Sequence, residues 1–145
     1  MTTAQKQPSP EIAAILSTAA TAHGIPENIL KAVAYVESRF DPTVTSAKGA
    51  AGLMQIMFDN WQPYGITDPY DPTQSANGGA KMLKKLYEQF TNDWPATLAA
   101  YNWGPARVRR NPRPQDWPES VRQYVVKVLT HAGIEPPFQP TRSEA

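Results

Sequence analysis

Glu37 is the residue in this chain whose setting invites acid/base chemistry. It follows Leu30 by seven positions and Val33 by four, so in a helix it falls on the apolar stripe of Ile29, Leu30, Val33, Val36 and Phe40. The pattern calls for a hydrophobe there. A carboxylate on a buried stripe is costly to ionise, which raises its pKa, and the predicted helix ends soon afterwards at Asp41-Pro42. The negative end of the helix dipole acts in the same direction. Together these favour a carboxylic acid that stays protonated near neutral pH, the state a general acid requires. The competing reading is a carboxylate paired with Arg39 or Lys31, or turned to solvent at a frayed helix end. Periodicity alone leaves both open.

Few other residues suggest chemistry. His23 and His131 stand alone near the C-terminal ends of predicted helices, where a partial positive charge is favourable, and read as structural or solvated. With no clustered partners they predict no metal site, and the sequence predicts no cofactor. Cysteine is absent, which excludes a disulfide framework, a thiolate metal site and a cysteine nucleophile.

The elements that must position Glu37 read as helices punctuated by the 15 prolines. Ser9-Pro10-Glu11 opens the first, with Ile12, Ile15, Leu16 and Ala19 on one face and Gly24 as its stop. Pro26 opens the second, which carries Glu37 and closes before Pro42. Residues 43–52 look like a loop or short hairpin, followed by the apolar piece Leu53 to Phe58. The stretch 59–74 reads as a long irregular connection. A third helix is expected over 76–90, a fourth from about Asp93 to Gly104-Pro105, and a last from Pro118 to Gly133. The arginines at 107, 109, 110 and 113 read as a solvated loop. Strand signal is scarce, so the fold class is mainly α. The expected organisation is a tail at 1–8, one domain at 9–135 and a second tail at 136–145, both tails disordered.

The 145 residues suffice for one compact domain, and 41% hydrophobic content for a core. Lys+Arg 14 against Asp+Glu 13 leaves a net charge of +1, which supplies no global field of the kind that marks a nucleic-acid binder. The amino terminus lacks the apolar core of a secretory signal, and no stretch is long enough to span a bilayer. Without heptads or long exposed apolar runs, a monomer is the simplest expectation.

Three separated blocks add a resemblance. Glu37-Ser38-Arg39-Phe40-Asp41-Pro42 with Ser46, then Gly49 through Met57, then Ala100-Tyr101-Asn102 with Gly104-Pro105, resemble in order and spacing the soluble lytic transglycosylase domain family. The match spans roughly residues 26 to 125. The resemblance implies a lysozyme-like, two-lobed helical domain with a glycan-binding groove, acting on peptidoglycan glycan strands. It makes Glu37 the catalytic acid/base, places Ser46 and Gln55 along the cleft, packs Met57 against a sugar, has Tyr101 orient the glutamate, and puts Asn102 in the same block. It implies cleavage of the bond between N-acetylmuramic acid and N-acetylglucosamine with formation of a 1,6-anhydro end. A lysozyme-type muramidase hydrolysing the same bond and a catalytically silent glycan-binding module remain as alternatives. The hydrolase would need a second carboxylate, and none of Asp41, Asp59, Asp68 or Asp71 occupies a comparable place. The implied workplace is the bacterial cell wall, reached by a phage lysis or virion protein or by a periplasmic enzyme whose leader has been removed.

The chain departs from the family pattern at three positions. Phe58 stands where a proline is usual, and Trp103 replaces a small residue. Ser120 takes the place of a glutamate that helps to hold the peptide stem; Glu119 lies one residue early, so that role is not carried to it. Under the same resemblance, Trp61, Tyr64 and Tyr70 suit either sugar stacking or local packing, and the arginine run suits attraction to an anionic envelope or to stem carboxylates.

Overall fold

The computed structural model describes residues 6–139. Of the expected tails, residues 1–5 and 140–145 lie outside the described residues. Among those described, six α-helices, two short 3-10 turns and no named strand occur: α1 Pro10–His23, α2 Glu27–Ser38, α3 Pro72–Gln89, α4 Trp94–Trp103, α5 Pro105–Arg110 and α6 Glu119–His131, with the 3-10 turns at Phe58–Asn60 and Pro114–Asp116. The mainly α expectation holds. The chain divides into two compact units, Met1–Lys81 and Met82–Ala145, and the boundary falls within α3. No described helix is long and apolar enough to cross a membrane.

In the first unit α1 packs on α2. The start of α1 follows from its sequence: Ser9 Oγ accepts the Ile12 N–H at 3.1 Å, and Pro10, which has no N–H to lose, occupies the first turn. It buries Ile12, Leu16, Ala19 and Ala20, and α2 buries Ile29, Leu30, Ala32, Val33 and Ala34. Each large aliphatic side chain among these contributes about 1.5–3 kcal/mol by leaving water. His23 Nε2 donates to Asn77 Oδ1 at 2.9 Å, so this histidine ties α1 to the first turns of α3.

Three boundaries differ from the expectation. Helix α2 ends at Ser38, three residues short of Asp41, because Arg39 and Phe40 both adopt left-handed backbone (φ 53° and 66°) and the Arg39 N–H closes the helix on Tyr35 O at 2.8 Å. Helix α3 begins at Pro72 instead of Ala76. Asp71 Oδ1 accepts the Thr73 and Gln74 N–H groups, so Asp71-Pro72, which reads as loop punctuation, is a helix start. The arginine run is likewise not wholly a loop: Pro105 both follows α4 and opens α5, which displays Arg107, Arg109 and Arg110 to solvent while burying Val108.

In the second unit α4 packs against α5 and α6. Asp93 Oδ1 caps α4 by accepting the Ala96 N–H at 3.2 Å. Helix α6 buries Val121, Tyr124, Val125, Val128 and Leu129, spaced as one face of a helix requires. Phe138, within the stretch expected as a tail, lies edge-on to the buried Trp117 at 6.0 Å between ring centroids.

Candidate active site

Glu37 occupies the last turn of α2 and is half-buried. Its backbone is fixed by the next residue. Ser38 is 8% exposed, and its Oγ lies 3.0 Å from Ala34 O, one turn back, and 2.8 Å from Leu53 O, in the following loop. This hydroxyl joins the end of the helix to the loop that carries the next expected site residues. The two cations weighed as partners for Glu37 have contacts of their own. Lys31 Nζ bonds Glu27 Oε2 at 2.6 Å, and the Arg39 guanidinium lies over the Tyr35 ring and donates to its hydroxyl at 3.2 Å.

The loop after α2 is ordered by side chains that satisfy its backbone. Asp41 Oδ1 accepts both the Thr43 N–H (2.9 Å) and the Thr43 hydroxyl (2.6 Å), and these bonds, the hydroxyl first, hold its carboxyl below the usual carboxylate range. Ser46 is exposed; its Oγ accepts the Ala50 N–H at 3.0 Å and shapes the turn 46–50. Isolated bridges pair Ala51 with both Thr45 and Ile56. Between them Leu53 and Met54 plunge fully into the core, and the Met54 N–H reaches the buried Ser75 Oγ of α3 at 3.0 Å.

Gln55 sits in left-handed backbone (φ 52°), and its amide nitrogen donates to Val44 O at 3.1 Å and Gly52 O at 2.9 Å. Both N–H groups are thus used in bracing the loop, leaving the amide oxygen as its acceptor. Met57 is 44% exposed beside Phe58 at 70%. The loop that carries these expected residues therefore depends on residues that periodicity does not reveal, chiefly Ser38, Ser75 and Gly52. For the two serines the signal available was a small polar residue on an otherwise apolar face.

Gly52 has a specific necessity. A Cβ there would lie 1.9 Å from Pro69 O, and its φ of 82° is one that side-chain-bearing residues rarely adopt.

The second unit carries the remaining expected residues. Tyr101 is half-buried and Asn102 exposed, side by side in the last turn of α4, behind the fully buried Leu98 and Ala99. Trp103 ends the helix, half-buried. A cavity of about 400 Å³ in this unit is lined in part by Asp93, Arg122 and Phe138, and by none of the expected site residues. Of the aromatics weighed for stacking, Trp61 donates its Nε1–H to Ile56 O at 2.9 Å and is half-buried, Tyr64 is half-buried, and Tyr70 is 43% exposed with its hydroxyl 2.6 Å from Thr45 Oγ1. Among the described residues no group of three or more His, Asp or Glu side chains is placed to hold a metal ion.

Comparison with known proteins agrees with the blocks read from the sequence. Residues 14–122 match the family described as the transglycosylase SLT domain. The chain is 35% identical to the membrane-bound lytic murein transglycosylase D of Escherichia coli K12 over 68% of its own length and 26% of that protein's. It is 28% identical to a transglycosylase of the Enterobacteria phage PRD1, covering 81% of the chain and 44% of that protein. The crystal structure of the 70 kDa soluble lytic transglycosylase of Escherichia coli is similar with a TM-score of 0.75 and 28% identity, over 90% of this chain and 26% of that one. The chain thus spans from about a quarter to under half of the length of these relatives.

Proposed function

We propose, because this chain belongs to the transglycosylase SLT domain family with its lysozyme-like helical fold, that it cleaves the glycan strands of peptidoglycan as a lytic transglycosylase. The observation that carries the reading is the placement of Glu37: a carboxyl in the last turn of α2, half-buried, whose helix end is tied through Ser38 to the loop bearing Gln55 and Met57. A general acid must be held against its substrate by backbone that does not fray, and the Ser38 bonds supply that restraint.

In this reading the Glu37 carboxyl donates its proton to the glycosidic oxygen between N-acetylmuramic acid and N-acetylglucosamine as the bond from that oxygen to C1 breaks. The resulting carboxylate then takes the proton of the muramic C6 hydroxyl while that oxygen bonds to C1. The proton count closes, no water enters, and the product is a 1,6-anhydro end. The substrate's acetamido group shares the positive charge at C1, which removes the need for a second carboxylate. Ser46, Gln55, Met57, Tyr101 and Asn102 are the proposed substrate-contacting set. The proposed catalytic domain is 9–135, working as a monomer on the bacterial cell wall.

The test is digestion of purified peptidoglycan by the wild type and by Glu37→Gln, with mass spectrometry of the released muropeptides. Products lighter by one water, lost by a factor of about 10²–10⁴ in the variant, are expected. Ordinary reducing ends would make the enzyme a hydrolase, and no release at all would leave a binding module.

A further inference from the structure

Phe58 is the most exposed large apolar side chain among those described, at 70%. One exposed apolar residue is ordinary on a protein surface. This one is unusual in being immobilised. It opens the 3-10 turn Phe58–Asn60, and the Trp61 N–H returns to Phe58 O at 3.0 Å. The two rings meet at 76° with centroids 4.9 Å apart, the T-shaped arrangement that aromatic quadrupoles favour. Trp61 is itself pinned, since its indole N–H donates to Ile56 O. Ile56 is buried and paired with Ala51. The phenyl ring is thus carried on rigid backbone and open to solvent, with Met57 half-open beside it.

We propose that Phe58, braced by Trp61 and flanked by Met57, is a stacking platform for a sugar ring of the glycan strand, and that it sets how tightly the strand is held rather than how fast it is cut. The proposal rests on the reading of the chain as an enzyme of peptidoglycan glycan strands. The axial C–H groups of a β-1,4-linked pyranose project from its faces and carry slight positive charge, which matches the negative face of an aromatic ring. A ring fixed in advance loses little entropy when the sugar arrives. The platform continues, through Met57 and Ile56, from Gln55 in the loop that Ser38 ties to the end of α2. Size argues for the same occupant. Among the described residues the two other large apolar side chains with substantial exposure are Tyr70, whose hydroxyl contacts Thr45, and Ile134 in the second unit. A patch of this width suits one sugar ring, and it falls well short of the roughly 800 Å² that each partner contributes to a stable protein interface.

The experiment measures co-sedimentation with purified, insoluble peptidoglycan sacculi in the Glu37→Gln background, where the substrate is not consumed. Adding Phe58→Ala should raise the half-saturating concentration by about fivefold or more, as expected for loss of one aromatic contact. Phe58→Trp should bind within about twofold of the parent. Phe58→Leu, apolar but without a π face, should resemble the alanine variant. In the active enzyme Phe58→Ala should raise KM and leave kcat within about twofold. The thermal midpoint and Trp fluorescence of each variant establish that it is folded, and the leucine variant decides the matter if the alanine variant is not.

Sacculus binding unchanged by Phe58→Ala, leucine binding as tightly as phenylalanine, or a loss confined to phosphatidylethanolamine/phosphatidylglycerol vesicles would each overturn the platform. Failure of the catalytic reading looks different. If the wild type releases no anhydro ends while sacculus binding still depends on Phe58, the platform stands alone. Anhydro ends with a KM indifferent to Phe58 mean the opposite: the enzyme stands and the platform falls.

Discussion

The loop of residues 39–66 and helix α6 are both well ordered but are held by opposite means. Helix α6 satisfies its own backbone and is fixed by a continuous apolar face, Val121, Val125, Val128 and Leu129, each 2% exposed or less. The loop pairs only part of its backbone with itself, as in Ala51 with Ile56, and relies on side chains for the rest. Ser38 and Ser75 from the flanking helices serve Leu53 O and the Met54 N–H, while the loop's own Gln55 and Trp61 donate to Val44 O, Gly52 O and Ile56 O. In α6 the energy is spread over many interchangeable contacts. In the loop it is concentrated in a few directional ones, whose removal strands a buried polar group. Irregular backbone near the proposed catalytic group therefore persists only with dedicated side-chain partners.

The largest effect expected from breaking the contrast comes from Gly52→Ala. The added Cβ meets backbone, Pro69 O, and the residue must also bear a positive φ. A destabilisation of about 3–5 kcal/mol, combining overpacking with left-handed strain, should appear as a collapse of the thermal midpoint or as failure to accumulate soluble protein. Leu129→Ala in α6 should cost about 2–4 kcal/mol by denaturant melts, yet leave kcat near wild type well below the melting midpoint. Ser38→Ala reverses that pattern. Its stability cost should be smaller, about 1–3 kcal/mol for the lost hydroxyl and the stranded Leu53 carbonyl, while kcat falls by about tenfold because the end of α2 is released. Equal losses of stability and activity in Ser38→Ala and Leu129→Ala would erase the distinction. Removing the α4 cap with Asp93→Ala should cost about 1 kcal/mol.

The smallest effect concerns pH. The Asp41 carboxyl is held below its ordinary value by Thr43, so its folded pKa lies below the unfolded one. Its contribution to stability is then fully present above the unfolded pKa and disappears as pH falls through the folded pKa. An NMR titration of Asp41 should show a midpoint below that of a model peptide, and Thr43→Val should return it toward the ordinary range.

The helices were legible in the sequence because their signals are local. Ser9 and Asp93 announce caps that the structure contains, and Gly104-Pro105 marks the end of α4. Where two readings of one signal compete, the expectation slips. Asp71-Pro72 reads as a turn but starts α3, and Pro105 reads as a stop but also begins α5. The end of α2 escapes sequence reasoning because non-glycine residues rarely take left-handed backbone, and Arg39 and Phe40 both do. Glu37 stands out against its apolar stripe, and it lies half-buried at the helix end. The bonds around it are not legible: the loop partners of Ser38 and Ser75 lie 15 and 21 residues away, and nothing in the spacing links them.

The paired glycines of α3 have a consequence for how the first unit assembles. A Cβ on Gly78 would lie 2.5 Å from Ile66 Cδ1, and one on Gly79 would lie 2.7 Å from Met54 Cε, so the loop's side chains rest against bare helix backbone. Each glycine makes the helix about 1 kcal/mol less favourable than alanine would. The first turns of α3 are therefore poor helix on their own and depend on Met54 and Ile66 docking to persist. Helix and loop should form and dissolve as one cooperative unit, with the backbone amides around 54–56 and 76–80 exchanging their hydrogens at a common rate.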